Sequence, residues 1–368
     1  MRDLADPPSS RHRATVLFHP LKTDLPALRA LMRVEEERAG WAPSEWIETT
    51  PEDGGSEALR QALSRKPHLV FASGGDGTVR AAAEALRGTG VPLAIIPQGT
   101  GNILARNVGL APGRTDEAVR AGFEGVDRPI DLGIATIVRQ DESEDEHVFL
   151  VLAGMGLDAR AIRATRSSWK KAVGWLAYID GGLRTMIRDK PLRIHYSYDR
   201  HSARELEVYT VMIGNCGLLP GGVLLIPDAR IDDGELDVVA LRPQGAFAWL
   251  KIWNKIGWEN GVLRKTRTGR RIIDLVHDTK NVVYLRAKKF ALTVPGLEPV
   301  QLDGDDLGLA IAVKGAVDPG ALVLRVAEHW STTAFGADAG AAGAGASAAE
   351  PGARAAAVSA PKAAPAGR

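Results

Sequence analysis

His68-Leu69-Val70-Phe71-Ala72-Ser73-Gly74-Gly75-Asp76-Gly77-Thr78 is the stretch that decides the fold: an apolar run, a loop with three glycines around one carboxylate, then the helical pattern of residues 79–87. Such a stretch reads as a strand feeding a helix through a tight turn. The same rhythm extends on both sides, with residues 15–18, 46–49 and 93–96 reading as further strands and residues 25–38 and 56–65 as helices. Strands separated by helices make a parallel sheet, so a doubly wound α/β domain is expected over residues 14–132.

Beyond Asp131 the pattern changes to period-two alternation, at residues 192–198, 206–213, 236–241, 282–286, 290–294 and 321–326. Alternation of that kind marks antiparallel strands with one face on a core. Residues 133–330 are therefore expected to form a C-terminal antiparallel β-sandwich-like domain, with a helical insertion over residues 158–187. Residues 336–368 are almost wholly Ala, Gly, Pro and Ser. That composition buries too little surface to offset the entropy of ordering, and a disordered tail is expected.

The 368 residues leave room for two domains, and 46 Lys and Arg against 45 Asp and Glu give a net charge of +1. No whole-molecule field draws the protein to a polyanion, which argues against nucleic acid as a partner. One cysteine, Cys216, excludes an internal disulfide and a multi-thiolate metal site. Residues 1–13 lack the apolar core of a signal peptide and no run is long and apolar enough to span a bilayer, so a cytoplasmic protein is expected.

Ligands of an open α/β sheet bind beyond the carboxyl ends of its strands. Two loops stand there, Ser73-Gly74-Gly75-Asp76-Gly77-Thr78 and Pro97-Gln98-Gly99-Thr100-Gly101-Asn102. Glycines let backbone N–H groups approach a ligand, and the following helix offers its positive end, so the first loop reads as a phosphate cradle. A carboxylate inside a cradle would repel phosphate unless a cation stood between them, which points to Mg²⁺ on a polyphosphate. The bland alternative is a plain strand-to-helix turn; a second glycine loop on the neighbouring strand argues against it. No G-x-x-x-x-G-K-[ST] occurs, so the chain is not a P-loop protein of the Walker type.

Gly-Gly-Asp-Gly-Thr after a strand, followed by Pro-x-Gly-Thr-Gly-Asn, resembles the diacylglycerol kinase catalytic domain, shared with sphingosine and ceramide kinases and more distantly with NAD kinases. The resemblance covers residues 14–328. It implies an ATP- and Mg²⁺-dependent kinase that moves the γ-phosphoryl group to a lipid hydroxyl, with diacylglycerol giving phosphatidic acid. By position it implies nucleotide contacts from His19, Pro20, Lys22, Thr50 (with Thr49 as the rival), Gly74, Gly75, Asp76, Gly77, Thr78, Gly99, Thr100 and Asn102. His19 stands where the family has Asn, and Ile103 where it often has Asp.

Ile130-Asp131-Leu132-Gly133 resembles the family's junction motif, whose aspartate joins a carboxylate and water network reaching toward the metal. Residues 226–237 resemble its turn for a structural Mg²⁺, with the Asp233 side chain and the carbonyls of Arg230 and Glu235 as ligands; a hairpin turn rich in Asp is the alternative. Val300-Gln301-Leu302-Asp303-Gly304-Asp305 resembles Asp-Gly-Glu, which makes Asp305, one methylene shorter than Glu, the expected base. Asp303 would orient the reacting groups or bind metal through water. The family also implies a lipid partner, transient contact at the inner membrane surface and room for a homodimer.

Other features stay open. Gly154-Met155-Gly156-Leu157-Asp158-Ala159 fits the dinucleotide fingerprint, but Asp180 sits in a helical stretch where an acidic strand end is required; the family accounts for the same glycines as a bend toward the cleft. Residues 141–146, five of six acidic, read as a solvated hairpin tip. Trp249, Ile252, Trp253 and Ile256, followed by Arg264, Lys265, Arg267, Arg270 and Arg271, suit either an interfacial helix or a core-facing one, and so do Trp169, Lys170, Lys171 and Trp175.

Overall fold

The computed structural model describes residues 12–50, 53–111, 113–156, 191–219, 223–224, 226, 229–242 and 281–328. The insertion expected at 158–187, the tryptophan-bearing segments at 169–175 and 247–271, Asp158, Asp180 and the expected tail lie outside the described residues.

Four strands, β1 (Arg13–Phe18), β2 (Ala42–Glu48), β3 (Leu69–Gly74) and β4 (Leu93–Pro97), run parallel in the order β2-β1-β3-β4. The central strands β3 and β4 are buried along their whole length, as parallel strands covered on both faces must be. Helices α1 (Leu25–Ala39) and α5 (Thr115–Glu124) pack on one face, where Phe18, Met32, Phe71 and Phe123 meet. Helices α2 (Ser56–Leu63) and α3 (Asp76–Leu86) belong to the other, with Leu17, Leu59, Ala82 and Leu86 in one core. Local signals start and stop α1: the Asp24 carboxylate accepts from the Ala27 amide at 3.1 Å, and Gly40 ends the helix at φ +72°. A short helix, α4 (Ile103–Asn107), follows β4.

The chain leaves this layer through β5 (Val126–Val138), which turns back as β6 (Glu144–Phe149). The β-rich half is strung on two long strands, β15 (Lys289–Leu302) and β16 (Asp305–Val326), which pair antiparallel with each other. A register shift between Thr293 and Glu298 divides β15. Its first half pairs with β8 (Leu192–Tyr198), which pairs in turn with β9 (Arg204–Val208). Its second half pairs with β7 (Leu152–Gly156), and the sheet continues through β10 (Thr210–Gly214), β13 (Leu236–Leu241) and β14 (Val282–Ala287). Phe149, Met155, Val211, Leu236, Phe290 and Leu302 form a core between these strands. A two-stranded pair, β11 (Leu218–Leu219) and β12 (Val223–Leu224), stands apart.

Two expectations about elements need correction. The single strand read over 206–213 is two strands with different partners: β9 turns to β8, and β10 lies between β7 and β13. The strand read over 321–326 is only the end of β16, whose final residues run back into the first layer with Leu324 opposite Leu93 of β4. One fourteen-stranded sheet therefore joins both halves, and β5 crosses residue 132 without a break. Among the described residues no helix is long and apolar enough to cross a membrane.

Candidate active site

The loops after β1, β2, β3 and β4 open at one edge of the parallel sheet. The first intrahelical bond of α3 runs from the Val79 amide to the Gly75 carbonyl at 3.1 Å. The amides of Gly77 and Thr78 precede it and have no intrahelical partner. The glycines are there for space. A Cβ on Gly99 would lie 2.6 Å from Gly75 Cα, so the two glycine loops touch backbone to backbone. A Cβ on Gly74 would lie 2.6 Å from Thr78 Cβ, and one on Gly75 3.1 Å from Lys22 Nζ. The Thr78 side chain is thus buried against Gly74, while the Lys22 ammonium stands at the mouth of the cradle.

His19 shapes the turn that follows β1. Its Nδ1 accepts from the Leu21 amide at 3.2 Å and its carbonyl from Thr23 at 3.1 Å. Burial and the neighbouring Lys22 charge lower its pKa, so the neutral ring keeps that acceptor. Pro20 is exposed beside it. Thr50 is exposed and donates its hydroxyl to Asp53 at 2.5 Å, so its proton is committed within its own loop; Thr49 is buried. That loop still abuts the cradle, since a Cβ on Gly54 would lie 3.8 Å from the Gly77 carbonyl.

The Asn102 side chain was expected to touch nucleotide, but it is buried and braces its own loop, accepting from the Gly99 amide at 2.9 Å and donating to the Gly99 carbonyl at 2.6 Å. Thr100 remains exposed on that loop. The Asp76 Oδ1 accepts from the Ile103 amide at the start of α4, and the Asn102 amide also contributes. Burial raises its pKa, those amides pull it back, and Asp305 adds a further upward push. The net shift is upward, so these amides do not fully offset the burial of the Asp76 charge.

From the β half, the turn between β15 and β16 carries Asp305 to this edge. Its Oδ2 accepts from Arg80 Nη2 of α3 at 2.8 Å and would lie 3.5 Å from a Cβ on Gly77. Asp303, expected to orient the reacting groups or hold metal through water, does something else. Its Oδ1 accepts from Val151 and Leu152 at 2.8 and 3.0 Å, and its Oδ2 from Leu150 at 2.8 Å. Buried, with both oxygens on main-chain amides, it is the brace that fixes the turn.

Asp131, expected in a carboxylate and water network reaching toward the metal, has Asp233 and Asp232 near enough that their charges add to burial in raising its pKa. Its carboxylate accepts from Gly234 at 2.6 Å and Gly320 at 2.8 Å, so it ties the Asp233 turn to β16, and no partner lies in the glycine loops. In that turn Asp233 Oδ1 accepts from the Glu235 amide at 3.2 Å, and Arg230 pairs with Asp232 at 3.4 Å. Among the described residues no three His, Cys, Asp or Glu side chains converge as a metal cage. A hard cation there would rest on one carboxylate and main-chain carbonyls, the donor set expected of Asp233, Arg230 and Glu235.

Residues 13–135 match the diacylglycerol kinase catalytic domain, and residues 151–326 match the YegS C-terminal NAD kinase beta sandwich-like domain. A Pseudomonas aeruginosa (strain UCBPP-PA14) protein described as a probable lipid kinase YegS-like is 32% identical over 75% of this chain and 82% of its own. The chain belongs to the diacylglycerol kinase-like lipid kinase family. A diacylglycerol kinase of Bacillus subtilis (strain 168) is 25% identical over 81% of this chain and 91% of its own. Two solved structures from Bacillus anthracis str. Sterne share the fold. One covers 86% of this chain and 98% of its own at TM-score 0.64 and 22% identity. The other, described as a diacylglycerol kinase, covers 86% and 97% at TM-score 0.58 and 18% identity.

Within this family setting, the residue that sequence reading missed is Arg80. Its signal was available: it lies four residues after Asp76 in a helix otherwise rich in alanine, on the same face.

Proposed function

We propose that this lipid kinase family member transfers the γ-phosphoryl group of ATP to a lipid hydroxyl, with diacylglycerol as acceptor and phosphatidic acid as product. One observation carries the reading: Asp305, from the β half, stands over the amide-lined start of α3, where phosphates would lie. The Gly77 and Thr78 amides and the Lys22 ammonium would receive the triphosphate. Mg²⁺, carried in by the nucleotide, would neutralise phosphate charge and needs only one or two carboxylates, for which Asp76 is available. The acceptor oxygen bonds to the γ-phosphorus as the bond to the β–γ bridging oxygen breaks. ADP leaves, and Asp305 takes the hydroxyl proton.

The acyl chains would occupy the β half. The protein would work in the cytoplasm at the inner membrane surface, where such an acceptor resides, in phospholipid synthesis. The test is ATP-dependent labelling of diacylglycerol in mixed micelles, with a sphingoid base and NAD as competing acceptors and Asp76→Asn as control. Labelled phosphatidic acid with the native chain and at least a hundredfold less with the variant is expected. NAD turnover without detergent would replace the lipid by a dinucleotide. ATP binding with no turnover of any acceptor would make the protein a nucleotide-binding homologue.

A further inference from the structure

Arg80 is the one charged residue of α3 that reaches from the nucleotide half to the turn carrying Asp305. Its side chain is 17% exposed against 49% for Asp305, so the guanidinium is the more enclosed partner. Its Nε is buried with no hydrogen-bond partner among the described residues, which is costly for an arginine and rare without a role. What holds it in this place is its Nη2, on Asp305 Oδ2. That contact uses one carboxylate oxygen and leaves Oδ1 without a partner among the described residues.

We propose that Arg80 is the positioning residue of the phosphoryl transfer, pinning Asp305 by Oδ2 so that Oδ1 faces the acceptor hydroxyl; the proposal rests on the kinase reading above. Asp305 is half exposed, and in the rotamer present its Oδ2 lies over the start of α3. Gly77 leaves room for that rotamer because it has no side chain to oppose it. Arg80 also lies near enough to Asp303 to favour its charge, but its hydrogen bond among the described residues goes to Asp305. A displacement of about 1 Å at a reacting group costs roughly a hundredfold in rate.

The experiment measures kcat and KM for both substrates, with calorimetric ATP binding, on the native chain, Arg80→Gln, Arg80→Lys, Asp305→Asn and the Arg80→Gln/Asp305→Asn double variant. Arg80→Gln is expected to lose about a hundredfold in kcat with ATP affinity and KM within twofold. Arg80→Lys should recover at least tenfold of that loss, and the double variant should be no slower than Asp305→Asn alone. Additive losses, or weaker ATP binding with kcat unchanged, would overturn the positioning role while leaving the kinase reading intact. A native chain inactive on every acceptor would overturn both.

Discussion

Asp303 and Asp305 are two residues apart and have opposite employments. Asp305 is half exposed and offers an oxygen, whereas Asp303 has φ +50°, is buried, and spends its charge on three amides of the 150–152 segment. Burial outweighs those amides and holds the Asp303 carboxyl at about 6, against an ordinary 3.8. The folded chain therefore keeps this proton more tightly than the unfolded chain does. The sign follows: stability from this group is full below about pH 4 and falls as pH rises to about 6, by about 3 kcal/mol for two pKa units. Asp303→Asn keeps the shape and removes the titration. Urea denaturation of both chains between pH 4 and pH 7 should show the native advantage over the variant shrinking by roughly that amount. Parallel curves would mean that Asp303 titrates in the fold as it does in water.

At the scale of elements, Asp131 shows how one side chain serves two strands and a turn. β5 and β16 slip register between Asp318 and Leu322, and Gly320, at φ +62°, offers its amide into the slip. Asp131 accepts that amide and the Gly234 amide together. Asp131→Ala would leave two amide donors unsatisfied, at about 1–3 kcal/mol each, and should lower stability by about 3 kcal/mol in chemical denaturation. The loss should be accompanied by faster exchange of the Gly234 and Gly320 amides, and unchanged exchange would remove the clamp from the account.

The same element-scale view separates what the sequence disclosed from what it withheld. The parallel strands and their glycine loops were legible because apolar runs, helical periods and glycines are local signals. The division of residues 206–213 between two partners was not, because β9 and β10 differ in whom they pair with, not in pattern. Asp303 and Asp131 were legible as residues, but their partners were not, because backbone amides far away in the chain hold their oxygens. Arg80 was passed over for the same reason: its partner lies 225 positions away.

For the molecule as a whole, the question is whether the nucleotide half and the β half stand or fall together. Several links join them, among them three that bear on the site. β16 ends in the first layer with Leu324 fully buried between β4 and β5, Arg80 reaches Asp305, and Asn107 of α4 exchanges hydrogen bonds with the Leu218 backbone. The first link is in the core: Leu324, Leu93, Val70 and Leu132 share one cluster with Met212 and Val239 of the β half. A cavity there should weaken both sides, because close-packed interiors pass strain on. Leu324→Ala is expected to cost about 3 kcal/mol. In native-state hydrogen exchange, the amides of β3 and of β10 should lose protection by the same amount, as one cooperative unit does. Loss confined to β3 would mean that the continuous sheet couples the halves in geometry only, and Asp305 would then be carried to the cradle by a body free to unfold on its own.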